Sequence, residues 1–397
     1  MKRLLLASGL FFSLTLFATA QAESVALTPV QYQQLNKINE ALETGTQEDA
    51  IILGEAMFQQ DKGTPEQQAF VRAFVARALV QVYQQQNQSK KALAQLQNVL
   101  KEDSERLDTA SLQAVRWITV HLLTGESQYK SALTLLETWW QDEEQPNAEA
   151  NYLRAALLAQ LERWQAAEPW LLAALKVRQP DSWLSLGVAI FQRQEKWMQA
   201  ANFQHKRLVL TPEKKQLWSQ LAQLQLLAGQ DKQALVTLEL AQEKGYLNNK
   251  EQVQLARRLL ANQQPLRAAA LFEQQLAKNP NDLKLNQYAA QAWLQTSNHP
   301  ATQQALKRLA QQSQKAQDWQ RLGEWNFSQG NWQAAIEAWQ KITDQLKGKE
   351  KARLELLIAN AHIEMQAYAL AKPLLENLLA SNEAAAAKQW LNYLKAL

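Results

Sequence analysis

Cysteine is absent from all 397 residues. That excludes disulfides, thiolate catalysis and cysteine metal sites. Glycine (11) and proline (10) are scarce, which points to long helices joined by few sharp turns. β-branched alternation is almost missing, so strand signals are sparse. The four histidines, His121, His205, His299 and His362, do not pair at metal-ligand spacing. No H-E-x-x-H, phosphate-loop lysine motif, G-x-G-x-x-G or G-x-S-x-G occurs. The sequence therefore offers no catalytic constellation, no cofactor motif and no metal set, and the expectation is a protein that is not an enzyme. The acidic run Asp142-Glu143-Glu144 precedes Pro146 and reads as a solvated turn.

Charge of one sign is also lacking. Lys and Arg number 42 against 38 Asp and Glu. The first 22 residues, MKRLLLASGLFFSLTLFATAQA, have the form of an export signal. Lys2 and Arg3 precede the apolar stretch Leu4 to Phe17, and Ala20-Gln21-Ala22 supplies a small-x-small cleavage site before Glu23. Removing residues 1–22 takes two basic residues and no acid, so the net charge falls from +4 to +2. So balanced a chain gives no electrostatic case for nucleic acid. The pairs Lys214-Lys215 and Arg257-Arg258 are too sparse to change that. Past residue 22 no run reaches the roughly 18 apolar residues of a membrane-spanning helix. The expectation is an exported, periplasmic chain with no transmembrane segment after cleavage.

What is present is periodicity. In DWQRLGEWNFSQGNWQAAIEAW, Asp318 to Trp339, Trp319 is followed by Leu322, Gly323, Trp332, Ala335 and Trp339 at +3, +4, +13, +16 and +20. Trp218 begins the same template, with Leu221, Ala222, Ala234 and Leu238 at +3, +4, +16 and +20. The alanine equivalent to Ala335 recurs as Ala92, Ala132, Ala167, Ala200, Ala234, Ala268, Ala301, Ala335 and Ala371. After the first interval of 40, the spacings run from 33 to 36. A period held that long predicts stacked helix pairs, because one pair cannot bury its own apolar face. Each copy carries two amphipathic halves around a polar turn, as at Gly229 and Gly330. Small residues such as Gly187, Ala222, Ala256, Ala289 and Gly323 let the partner helix approach, and the tryptophans fill the space between. Thr28-Pro29, Thr64-Pro65 and Thr211-Pro212 read as caps before an N1 proline, and Asn147, Asp181 and Asn281 as caps after a proline.

WQRLGEWNFSQGNWQAAIEAWQKI resembles the tetratricopeptide repeat (TPR) superfamily in its W-x2-L-G and later aromatic–alanine–aromatic spacing. The resemblance spans about residues 60–380 and is weakest before Ala92 and from Leu285 to Gln314. It implies an all-α, right-handed α-solenoid of stacked antiparallel helix pairs. The domain reading is a signal peptide at 1–22, degenerate or capping helices at 23–75, a solenoid at 76–380 and a capping helix at 381–397. In that family the positions one, five, eight and nine residues after the aromatic start of each first helix face a concave groove. Carried over, they give Ser219, Gln223, Leu226 and Leu227, then Val253, Arg257, Leu260 and Ala261. The copy aligned through Ala289 and Ala301 gives Asn286, Ala290, Trp293 and Leu294, and the best copy gives Gln320, Glu324, Phe327 and Ser328. Trp293, Phe327 and Arg257 are the candidate anchors of a protein-binding groove. For Trp293 and Phe327 the other reading is packing against adjacent helices. Trp325, at +6, is the one tryptophan in this copy whose place the period does not dictate.

A narrower resemblance lies in Ala234–Leu276, where a helix ends in K-G-Y and is followed by L-A and P-x-x-A-A. It looks like periplasmic TPR proteins associated with TonB-type energy-transduction systems, which serve outer-membrane uptake of iron complexes. That resemblance implies an adaptor for envelope proteins, TonB-system components among them, with no cofactor. Two other readings stand beside it. One is a scaffold or assembly factor for cell-wall, exopolysaccharide or outer-membrane machinery. The other is an enzyme subunit without a recognisable motif. Surplus apolar surface at either end of the stack could pair copies into a homo-oligomer.

Overall fold

The computed structural model describes residues 25–143 and 146–396. The export-signal reading of residues 1–22 lies outside the described residues. The described chain is all-α and divides into two compact units, with the boundary between Thr211 and Pro212. The first unit contains α1 (Pro29–Thr44), α2 (Gln47–Phe58), α3 (Pro65–Ala78), α4 (Val80–Gln85), α5 (Ser89–Glu102), α6 (Thr109–Gly125), α7 (Tyr129–Gln141), α8 (Ala148–Gln160), α9 (Trp164–Val177), α10 (Asp181–Arg193) and α11 (Trp197–Leu210). The second contains α12 (Lys215–Leu227), α13 (Asp231–Glu243), α14 (Asn249–Ala261), α15 (Pro265–Leu276), α16 (Leu283–Leu294), α17 (His299–Ser313), α18 (Ala316–Ser328), α19 (Trp332–Gln340), α20 (Gly348–Glu364), α21 (Tyr368–Leu378) and α22 (Ala384–Ala396). Within each unit a helix packs chiefly on its chain neighbours. In the second unit α12, α14, α16, α18 and α20 open the pairs (the A helices), and α13, α15, α17, α19 and α21 close them (the B helices).

The alanine of the repeat explains how closely these helices pack. Ala92, Ala132, Ala167, Ala200, Ala234, Ala268, Ala335 and Ala371 are all fully buried. The small A-helix residue does the same from the other side. A Cβ built on Gly323 would lie 2.2 Å from Nε1 of Trp339, a ring that is itself fully buried. Trp319, Trp332 and Trp339 thus pack between helices, as their repeat positions require. Trp325 is half-buried against the same core, its ring 6.1 Å from that of His299.

Eight of the nine turns that lead into the repeat alanines share one device that the sequence conceals. The residue five before each buried alanine adopts positive φ: Asn87, Ser127, Glu162, Glu195, Gly229, Gln263, Gly330 and Gln366. The next N–H then reaches back across the helix end, as from Gln230 to the Gln225 carbonyl (2.8 Å) and from Asn331 to the Asn326 carbonyl (2.9 Å). This Schellman closure satisfies carbonyls that a helix end leaves without a partner. Only two of the eight are glycine, so composition did not reveal it.

The cap readings divide. Thr28 and Thr64 form capping boxes ahead of prolines, and Asn147 accepts from the Ala150 N–H. Thr211 does not cap: α12 begins at Lys215, and the Thr211 hydroxyl bonds the Arg207 carbonyl instead. Asp181 is the first helical residue and its carboxylate is held by Arg207 at 2.7 Å. Asp282, not Asn281, caps α16 by accepting from the Leu285 N–H. At the far end Trp390, Leu391 and Leu394 pack on the core of the last pair, as a capping helix should. Leu397 lies outside the described residues.

Candidate protein-binding face of the second unit

Every A helix of this unit hides one side behind a fixed set of packing positions. In α18 the buried residues are Trp319, Leu322, Gly323 and Asn326. In α14 they are Gln252, Leu255, Ala256 and Leu259, so Gln252 takes the tryptophan position and bonds the Leu247 carbonyl at 3.1 Å. The opposite side faces solvent. Gln223, Arg257 and Glu324 occur there at one register, five residues after the start of their repeats, and all three are exposed. Arg257 lies 5.2 Å over the ring of Tyr288, which ties the face of α14 to that of α16. Gln320 is half-buried and donates to Glu324 at 2.8 Å.

The third pair departs from the expected register by one residue. Asn286 is fully buried, not groove-facing. Its amide nitrogen lies 3.1 Å from the Pro280 carbonyl, 3.0 Å from that of Asp282 and 2.6 Å from Oε1 of Gln312, and its oxygen accepts from Arg308. Ala290 is buried as well. The cause is visible in the following helix. Ala301 is half-exposed, whereas Thr302 is buried and bonds the Trp293 carbonyl at 2.9 Å. Thr302, Ala305, Leu306 and Leu309 repeat the spacing of the buried Ala335, Ala338, Trp339 and Ile342. Thr302 therefore holds the alanine position, and Asn286, sixteen residues before it, holds the tryptophan position. The exposed residues of α16 become Gln287 and Gln291, which the sequence reading missed. The apolar spacing after Thr302 was the signal that could have found them.

Two proposed anchors, Trp293 and Phe327, make contacts within the fold and are half-buried. The Trp293 Nε1 donates at 3.0 Å to the Glu273 carboxylate oxygen that also takes Arg308 at 2.7 Å. Phe327 packs edge-on to Trp332 at 4.7 Å and against Trp339 at 5.7 Å. Packing, the second reading given above, accounts for both. The face that remains carries Gln223, Arg257, Gln291 and Glu324, backed by half-buried Leu226, Leu260 and Leu294. Its chemistry is amides with a few charges, suited to hydrogen bonding a partner.

Elsewhere the Tyr83 hydroxyl donates to Glu55, which also pairs with Lys91, and burial shifts two histidines. His121 is pushed down to about 4 by burial and stands edge-on to Trp117 at 4.8 Å. Burial also lowers His362. Among the described residues no group of three or more His, Asp or Glu could hold a metal ion. No helix among them is long and apolar enough to cross a membrane.

No family profile matches the chain. No curated protein matches it either. Several solved structures are similar in fold. One is a tetratricopeptide repeat protein from Parabacteroides merdae, at 16% identity, TM-score 0.40, covering 66% of this chain and 98% of that one. YrrB, described as a TPR protein with an unusual peptide-binding site, matches at 17% identity and TM-score 0.36, over 44% of this chain and 84% of its own. PilW, described as a widely conserved type IV pilus biogenesis factor, matches at 16% identity and TM-score 0.34, over 52% and 94%.

Proposed function

We propose that this chain is an adaptor that binds another protein through the solvent-facing side of its A helices. The observation that carries the reading is the row Gln223, Arg257, Gln291 and Glu324. Four successive A helices present these exposed polar side chains at one register, above a buried interior. A surface with its packing positions buried and its polar positions in line is free to change for recognition without disturbing the fold. The export-type leader supports a partner in the cell envelope. The K-G-Y resemblance supports TonB-type energy transduction, and hence uptake of iron complexes, as the pathway served.

A pull-down from periplasm tests this. The quadruple variant Gln223→Ala, Arg257→Ala, Gln291→Ala, Glu324→Ala should lose a partner that the wild type retains, with unchanged circular dichroism. A specific partner held equally well by both proteins would sink the proposal. If the partner recovered is a glycan-synthesis or outer-membrane assembly protein, the TonB reading gives way to the scaffold alternative.

A further inference from the structure

The second unit carries charge differently from the first, and one of its edges is rich in lysine. Residues 23–211 hold 18 basic and 22 acidic side chains, whereas residues 212–397 hold 22 basic and 16 acidic. Because successive helices run antiparallel, the turns leading into the A helices share one edge of the unit. Each of those five turns has exposed lysine: Lys215, Lys244, Lys278, Lys315 and Lys347 stand for them in order. No arginine occurs in these turns.

Turns of the same kind in the first unit use charge internally. Asp103 binds Arg72, Asp142 binds Arg116, and Asp181 binds Arg207, each tying together the two helices of one pair at that edge. In the second unit the same kind of staple is made by amides: Gln275 donates to Gln252, and Gln312 accepts from Asn286. Of the lysines named, Lys278 bonds Asn249, and Lys215 and Lys244 lie over the rings of Tyr246 and Trp218. Lys250, Lys284, Lys315, Lys347 and Lys349 have no ion pair or side-chain hydrogen bond among the described residues. Four carboxylates of these turns, Glu213, Glu243, Asp344 and Glu350, are exposed, and three others have local duties. Glu251 accepts from the Asn248 N–H, Asp282 caps α16, and Asp318 takes the Ser313 hydroxyl.

We infer that this lysine edge is a second docking surface, for an acidic, carboxylate-rich polypeptide segment of a partner. Ammonium groups are compact, hydrated charges that attract without demanding bidentate geometry. Their row follows a linear polyanion, and the contact should be fast and salt-sensitive. A lipid surface is the weaker match, because no exposed large apolar side chain accompanies the lysines in these turns. Nucleic acid is weaker too, because the turns offer no arginine and no exposed aromatic ring. The surface is independent of the A-helix face, so either can fail alone.

The test uses the full mature chain and a fluorescein-labelled deca-glutamate peptide, followed by anisotropy at two salt concentrations. Lys250→Gln, Lys284→Gln, Lys315→Gln, Lys347→Gln removes four exposed charges. Lys37→Gln, Lys62→Gln, Lys90→Gln, Lys130→Gln removes the same number from the first unit. At about two-fold per exposed charge, the first variant should weaken binding on the order of ten-fold, and the control by less than two-fold. Equal weakening in both would reduce the effect to net charge and overturn the inference. So would failure to bind the peptide, whether or not anionic phosphatidylglycerol vesicles or duplex DNA bind in its place.

Discussion

Three glycine-to-alanine substitutions probe the closeness of helix packing, and their order of effect follows from geometry. Alanine is favoured over glycine in a helix interior by about 1 kcal/mol, so each change begins with a gain. At Gly125 the added Cβ meets nothing within 4 Å, and because the residue ends α6 the gain should be about 0.5–1 kcal/mol. At Gly187 the Cβ meets Phe203 at 3.1 and 3.2 Å and Leu171 at 3.4 Å. A few tenths of an ångström of yielding offsets the gain, and the net should lie within about 0.5 kcal/mol of zero. At Gly323 three Trp339 ring atoms lie at 2.2, 2.4 and 2.6 Å. The ring is fully buried and donates from Nε1 to the Gln320 carbonyl at 3.3 Å. It must retreat by about an ångström to reach ordinary contact, at a typical overpacking cost of 1–3 kcal/mol or more. Losing the Nε1 bond costs about 1 kcal/mol more. The expected net loss is roughly 2–3 kcal/mol. Urea unfolding followed by both circular dichroism and tryptophan emission reads all three, and two probes reveal any loss of two-state behaviour in the stack. A Gly323→Ala protein as stable as wild type would refute the close-approach argument, as would a Gly187→Ala protein equally damaged.

Further outcomes follow from other features. Gln263→Gly should stabilise by about 0.5–1 kcal/mol, because a side chain at φ +59° is strained, and Gly229→Ala should cost a similar amount; paired melting curves check both. His121 is depressed to about 4 by burial, below its unfolded value near 6.5. The unfolded chain therefore binds the extra proton first, and stability should fall as pH drops from about 6.5 towards 4 by at most about 3 kcal/mol. His121→Phe should flatten that part of the profile, and an unchanged slope would show that other groups control it. Asp103→Ala strands Arg72 beside a fully buried site and should cost about 3–5 kcal/mol by denaturant titration. Terminal sequencing of the exported protein should begin at Glu23; an intact Met1 in membranes would contradict the leader reading.

Residue spacing made the helix pairs legible because packing imposes it directly. Ala335 and Gly323 had to be small, and Trp319 and Trp339 had to fill what they left, so residue type mapped onto position. The same logic misled at Ala301. Identity suggested an alanine position, yet burial belongs to Thr302, whose hydroxyl bonds the Trp293 carbonyl where a methyl would otherwise sit. A polar residue that satisfies itself against backbone can hold a core position, and Gln252 and Asn286 do so in place of tryptophan. The face was harder still. Trp293 and Phe327 attracted notice as aromatics, but apolar area draws such rings inward. The residues left outside are Gln223, Arg257, Gln291 and Glu324, polar types that share a register and no common residue identity.

The recurring turn fixes four residues between its left-handed position and the following alanine, so no length variation enters there. The drift in period enters elsewhere, through the Asp103–Asp108 connection, the longer α6 and α20, and the short 3-10 turn Thr343–Gln345. Within each unit one edge is therefore length-locked and the other length-tolerant. In a chain without cysteine, a single cysteine at exposed Glu105 would be a unique attachment point on the tolerant edge. Residues inserted beside it would extend the connection and leave every helix pair in its frame.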